Sequence, residues 1–211
     1  MTTARAKAPR RRAVGEEAKS QRRDDIMAAA KTVFARNGYQ ATTIALIAKE
    51  AGMAYGSIYW YFNSKDELFH CLMDAEESAL RANLAAAVQD VSAGEDGEAM
   101  FRAVVRSTFE FFEADRDTVK LLFRDAYALG DRFEKHLFGI YERFIKDMEA
   151  IIVAAQDQGE IVAAPPRMVA FSLAALIGQL AHRRLTTDDG VPAGVVADFV
   201  VSLALDGLRP R

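Results

Sequence analysis

The chain has 211 residues and a mass of 23.2 kDa, with 51% hydrophobic and 27% charged residues. That length suits one domain or one domain with a small appendage, and the apolar share excludes wholesale disorder. No apolar run reaches the roughly 18–20 residues a transmembrane helix needs, no apolar segment follows the basic N-terminus as a secretory signal would, and the single cysteine, Cys71, excludes an internal disulfide. A reducing cytoplasm is the expected setting.

The net charge of -3 conceals an asymmetry. Residues 1–65 carry 12 Lys/Arg against 5 Asp/Glu, and residues 66–211 carry 15 against 25. A basic front on an acidic body points to an N-terminal part that meets a polyanion, a solvated basic tail being the alternative.

In chain order, residues 1–19 read as a disordered arm holding Arg5, Lys7 and Arg10-Arg11-Arg12. Ile26, Ala29, Ala30, Val33 and Phe34 then fall on one face of a helix, which Asn37-Gly38 ends. Thr42 or Thr43 is a natural N-cap for a second helix carrying Ile44, Ile47 and Ala48. Ala51-Gly52-Met53 breaks it, and Tyr55 to Phe62 restarts it. Ser64 followed by Glu67 forms a capping box for the next helix. From residue 65 onward the chain reads as helices over 65–91, 98–114, 117–128, 131–158, 166–186 and 192–208. Loops are expected at Gly94–Gly97, Ala114–Arg116 and Asp188–Gly190. No strand alternation and no solenoid repeat is present.

The informative stretch is Thr43 to Phe62. Ala48 is small enough for a second helix to pack close, and Gly52 suits a turn residue with positive φ. Ile58 then plugs the second helix into a shared core. This spacing is that of a helix-turn-helix, whose second helix lies in a major groove; an ordinary helical hairpin is the rival. The second helix carries Tyr55, Ser57, Tyr59, Trp60 and Tyr61, too many polar aromatics and hydroxyls for one short helix to bury. Gly56 permits close approach to a phosphate, and Lys65 falls in the first turn of the following helix, where charge and N–H groups favour an anion.

The run from Ile26 to Leu68, with Gly38-Tyr39, Thr42-Thr43, Ile47-Ala48, Ala51-Gly52-Met53, Gly56-Ser57-Ile58-Tyr59, Tyr61-Phe62 and Ser64-Lys65-Asp66-Glu67-Leu68, resembles the DNA-binding domain of the TetR (tetracycline repressor) family without a gap. The resemblance implies an all-α fold: an N-terminal three-helix domain with a helix-turn-helix, then a helical ligand-binding and dimerisation bundle. Its divisions are a basic arm at 1–19, a DNA-binding domain at 20–66 with the helix-turn-helix at 43–62, and an effector and dimerisation domain at 67–211. By the same resemblance Thr43 holds a phosphate, and Ala54 to Phe62 is the recognition helix. Tyr55, Ser57 and Trp60 face bases, Tyr59 and Lys65 face phosphates, and Tyr61 takes the aromatic position before Phe62. Ala54 stands where the family often has Ser, so a capping contact is lost. The arm is expected to follow the DNA backbone or enter a minor groove, or else to hang free.

Ten of the 20 aromatics lie between Phe101 and Phe144. Most serve a core. The same helices also suit an elongated apolar cavity, expected to be lined by Phe101, Arg106, Phe109, Phe112, Phe123, Arg124, Tyr127 and Phe144. Asp125, Arg132 and His136 are further polar groups among them. Leu121 to Gly130 is similar to TetR-family regulators of lipid metabolism, which implies a fatty acid or acyl-CoA effector that releases the DNA. Residues 166–186 present small side chains and 195–208 apolar ones. The resemblance implies that these helices pair two chains on a palindrome through Ala174, Gly178, Ala181, Phe199 and Leu203; burial inside one chain is the rival.

The expected function is a ligand-responsive repressor binding double-stranded operator DNA as a homodimer. A drug-efflux regulator answering aromatic or lipophilic toxins, or a non-specific architectural DNA binder, is the alternative. No enzyme is expected: His70, His136 and His182 lack ligand spacing, and no phosphate loop or nucleophile elbow occurs. No cofactor or metal is expected beyond the small-molecule effector.

Overall fold

The computed structural model describes residues 10–91, 97–121, 131–187 and 190–208. Nine helices make up these residues: α1 (Arg10–Ala41), α2 (Ile44–Glu50), α3 (Tyr55–Ile58), α4 (Lys65–Gln89), α5 (Gly97–Ala114), α6 (Arg116–Lys120), α7 (Asp131–Asp157), α8 (Pro166–Thr186) and α9 (Ala193–Leu208). No strand occurs among the described residues. The chain divides into two compact units, one ending at Leu72 and the other beginning at Met73. The boundary expected at residue 66 falls earlier than this division. The first turns of α4 belong to the first unit because Leu68, Phe69 and Leu72 are buried in its core.

That core joins Ile26, Val33 and Phe34 of α1 to Ile47 and Ala48 of α2, Ile58 of α3 and Phe62 beyond it. Phe34 stacks on Tyr39 at 5.8 Å, and Phe69 meets both edge-on at 5.1 and 5.0 Å. Offset and edge-on pairs of this kind suit the ring quadrupole. The helical run of α1 breaks at Gly38, whose φ of 78° and ψ of 163° are not helical, so the expected stop at Asn37-Gly38 separates the long helix from a short turn over residues 39–41.

Residues 10–19, expected as part of a disordered arm, are helical. The expectation rested on their having nothing to bury. Their Arg, Ala, Glu and Lys content favours helix, and extending α1 needs no new nucleus. Arg5 and Lys7 of that arm lie outside the described residues.

The second unit has two apolar clusters. Val105, Phe109 and Phe112 of α5 meet Ile177 and Ala181 of α8 and Ala197, Val200 and Val201 of α9. Ile145 and Ile152 of α7 meet Val169, Ala170, Leu173 and Ala174 of α8. Small residues on α8 let these neighbours approach closely, which is why Ala174, Gly178 and Ala181 are buried within this unit. Their assignment to a dimer face is corrected accordingly. The expected loop residues Gly94, Glu95, Asp96, Asp188 and Asp189 lie outside the described residues.

Candidate nucleic-acid interface

The interface is built from the ends of α2 inward. Thr43, not Thr42, caps α2: its hydroxyl accepts the Leu46 N–H at 3.3 Å. Thr42 is buried and donates its hydroxyl to Gly38 O at 2.7 Å. At the other end, Gly52 takes φ 64°. The Met53 N–H reaches Ala48 O at 2.9 Å and the Gly52 N–H reaches Lys49 O at 3.2 Å. These are the paired bonds of a Schellman turn, which fixes the angle at which the chain enters α3.

Helix α3 is shorter than the expected Ala54–Phe62 and covers Tyr55–Ile58 only. Ala54 caps it without a side-chain bond, as the loss of Ser at that position implied. Beyond Ile58 the turns tighten: the Trp60 N–H bonds Ser57 O at 3.3 Å and the Tyr61 N–H bonds Ile58 O at 3.0 Å. Burial of Phe62 and the start of α4 pull the chain inward there. Ser64 then accepts the Glu67 N–H at 3.0 Å, while Glu67 returns its carboxylate to the Asn63 N–H at 2.8 Å. The capping box is therefore shifted by one residue on its return bond.

Ile58 and Phe62 point into the core, and the opposite side is left outside. Tyr55 is 54% exposed, Tyr59 43% and Trp60 83%. Tyr55 and Tyr59, one turn apart, meet edge-on at 5.4 Å and share a hydroxyl–hydroxyl bond of 2.8 Å. That bond holds the Tyr59 hydroxyl above its ordinary pKa. Gly56 is exposed, and a Cβ placed there meets nothing within 4 Å. No contact among the described residues requires a glycine in this helix.

Lys65 differs from expectation. Its ammonium donates to Tyr39 O at 2.8 Å and Thr42 O at 2.9 Å and lies 4.2 Å above the Tyr39 ring. Burial lowers its pKa, with the Asp66 carboxylate opposing. Two of its three donors tie the α1–α2 connection to α4, so its first role is to position Thr43. Asp66 takes the Tyr39 hydroxyl in the same knot. Ser57 and Tyr61 are half-buried, while Thr43 and Ala54 are exposed.

Of the residues expected to line an effector cavity, the described aromatics fall in two clusters. Phe109 and Phe112 are buried in the α5–α8–α9 cluster, whereas Phe144 packs on the α7–α8 cluster and Phe101 touches both. Arg106 is no buried anion site: it lies on the surface and its guanidinium bonds Asp198 at 3.2 Å, beside Arg102 at 3.0 Å. His136 is placed 3.1 Å from Asp74. Phe123, Arg124, Asp125 and Tyr127 lie outside the described residues, as does the side chain of Arg132.

A cleft of about 370 Å³ does open against Phe109 and Phe112. Ala181, Thr187, Gly190, Val191 and Pro192 wall it, with Glu113, Arg116 and Arg184 at its polar side. Arg184 donates to Glu113 and to Val191 O, and Arg116 donates to Arg184 O at 2.7 Å. Arg116 and Arg184 were not singled out from the sequence. Arg183-Arg184 in the last turn of α8 was the available signal, but pairing with Glu113 is a tertiary fact.

A one-turn helix held by a glycine turn, carrying exposed hydrogen-bonding aromatics on a compact trihelical core, defines a helix-turn-helix DNA-binding protein. The chain belongs to the tetR family of bacterial regulatory proteins: that family's N-terminal model matches residues 26–72, and the tetracyclin repressor-like C-terminal domain matches residues 94–208. It is 28% identical over 196 residues to the transcriptional repressor KstR2 of Rhodococcus jostii, covering 90% of this chain and 92% of that one. It is 26% identical over 190 residues to the transcriptional activator FasR of Mycolicibacterium smegmatis, covering 90% and 84%. Its fold matches FadR of Bacillus subtilis, solved in complex with stearoyl-CoA, with a TM-score of 0.76, 20% identity and coverage of 87% and 97%. Among the described residues no helix is long and apolar enough to cross a membrane, and no cluster of His, Cys, Asp or Glu is arranged to hold a metal.

Proposed function

We propose that this regulator is a two-fold dimer that represses transcription by occupying a palindromic operator and leaves it when a fatty acid or acyl-CoA thioester binds its second unit. The observation that carries the DNA half is the outward face of α3, with Trp60 83% exposed beside a Gly56 that no contact among the described residues needs. Trp60 and Tyr55 reach base edges, Tyr59 and Thr43 reach phosphates, and Lys65 holds the loop that presents Thr43.

Dimerisation falls to the outer faces of α8 and α9. Met168 and Phe171 on α8 and Val195, Phe199 and Leu203 on α9 are all more than half exposed. Val195, Phe199 and Leu203 recur every four residues, so they form one apolar stripe. Phe199 and Leu203, expected at the dimer face, lie on this stripe.

The effector reading rests on the cleft against Phe109 and Phe112, a volume within the range of about 300–1,000 Å³ usual for small-ligand sites. Its aromatic floor suits an acyl chain, and Arg116 and Arg184 suit the anionic end. FadR of Bacillus subtilis, of the same fold, binds stearoyl-CoA. The sign of regulation is drawn from the family's usual mode, since KstR2 is a repressor and FasR an activator.

The test is selection of a duplex from a random library by the full chain, followed by titration of that complex with acyl-CoAs of graded length. An enriched palindrome, released by one length class, is the expected result. Enrichment of no sequence refutes the regulator reading. A complex untouched by every acyl-CoA refutes only the effector.

A further inference from the structure

We propose that Glu113 is a built-in competitor of the effector: its carboxylate occupies Arg184 while the cleft is empty, and the effector's anionic end takes that place on binding. The proposal deepens the effector reading above and rests on it.

The two partners of this ion pair are unequal. The side chain of Arg184 is 16% exposed and that of Glu113 is 41% exposed. Arg184 stands in the last turn of α8, where the helix end favours a cation. Its guanidinium also donates to Val191 O, and its own carbonyl accepts the Arg116 guanidinium at 2.7 Å. Glu113, near the end of α5, accepts Arg184 Nε–H at 3.1 Å and is otherwise turned toward water. A largely buried cation is costly to leave without a counter-charge, whereas a carboxylate at the surface regains its hydration as it swings out. The cation therefore stays, and the anion is the partner that exchanges.

The pair sits where an acyl chain would end. Phe109, Phe112 and Ala181 are the apolar floor of the cleft. Glu113 lies one turn beyond Phe109 on α5, and Arg184 one turn beyond Ala181 on α8, so the floor runs up to the ion pair from both helices. Arg116 joins them on the polar side, which holds two cations to one carboxylate. A second anion beside Glu113 is repelled by it; in Glu113's place it meets both arginines.

Two consequences follow from the exchange. The effector gains only the difference between its own pairing with Arg184 and the one it displaces, so the tethered carboxylate lowers the apparent affinity of the cleft. The exchange also unties the last turn of α8 from the end of α5.

The experiment titrates the full chain with stearate and with stearoyl-CoA, which share the acyl chain and differ in the anion. Calorimetry compares the wild type with Glu113→Gln, Arg184→Gln and the double variant. Glu113→Gln should bind about tenfold more tightly whichever probe the wild type binds. In the Arg184→Gln background the same change should bring no gain, because the pair acts as a unit. Glu110→Gln removes the same charge one turn earlier on α5 and should leave affinity unchanged. Thermal melting gives a second reading that does not need the Arg184 variants. Without a probe Glu113→Gln should melt below the wild type, its arginine having lost a counter-charge, and the probe should raise its melting temperature by more. Equal or weaker binding by Glu113→Gln, or equal tightening by Glu110→Gln, overturns the exchange and leaves the effector reading standing. A wild-type chain that binds neither probe nor any shorter homologue of them overturns both.

Discussion

The two units each carry a cluster of aromatic residues, and they use them in opposite ways. Around α3, Tyr55, Tyr59 and Trp60 stand outside the core, with exposures of 54%, 43% and 83%. On α5, Phe109 and Phe112 are 1% and 7% exposed and join α8 and α9. Helix α3 is a single turn, so it offers the core Ile58 and little more. Helix α5 spans Gly97–Ala114 and presents a whole face to its neighbours. The difference teaches that aromatic density marks a site only where the element is too short to bury it.

The comparison breaks first at the core. Phe62→Ala in the first unit and Phe109→Ala in the second are each expected to cost about 3–5 kcal/mol, measured by denaturant unfolding. A smaller loss at either would mean that its apparent burial carries little packing energy.

Trp60→Ala sharpens it from the other side. Folding stability should shift by no more than about 0.5 kcal/mol. Affinity for the selected operator should fall by about 1–3 kcal/mol, the range of a lost base contact, read by fluorescence anisotropy. A large stability loss with unaltered binding would move Trp60 into the core's account.

Gly56→Ala asks whether the open backbone is kept for DNA. Removing a glycine from a helix stabilises the free protein by about 1 kcal/mol. Thermal melting should rise while operator affinity falls; if both rise, nothing approaches that backbone.

The smallest effect lies in the second unit. Hydrogen bonds from Arg143, with the charge of Arg81 nearby, hold the Glu77 carboxylate below its ordinary pKa against the opposing effect of burial. A folded pKa below the unfolded value, about 4.3 for Glu, means the pair's contribution is complete above that pH. It is lost as pH falls through the lower folded value. Because Arg143 is solvent-facing, screening keeps the contribution small. Glu77→Gln should flatten the acid limb of a stability–pH curve slightly and leave neutral-pH DNA binding unchanged.

Much of the first unit was legible in the order of its residues. Ile26 to Phe34 recur at helical spacing, Gly52 marks the turn, and Ser64 with Glu67 marks the start of α4, all signals carried by neighbours within a turn or two. Some helix boundaries of the second unit were legible for the same reason: Gly159 follows the end of α7 and Pro165-Pro166 opens α8. What was not legible was which side of each helix faces inward. Ala174, Gly178 and Ala181 read equally well as a dimer seam or as an internal one. Arg106 read as buried among aromatics until Asp198, far away in sequence, held it at the surface.

The sequence by itself determined the helical class, the turn geometry between α2 and α3, and the surplus of polar aromatics between Tyr55 and Tyr61. These follow from φ preferences, capping and periodicity, all properties of short segments. The tertiary structure alone decided that α3 lasts one turn, that Lys65 spends its donors on the Tyr39 and Thr42 carbonyls, and that α8 buries its small residues while α9 leaves Phe199 and Leu203 outside. Those outcomes depend on which distant surfaces meet, and burial is settled by the sum of such meetings rather than by any residue's neighbours along the chain.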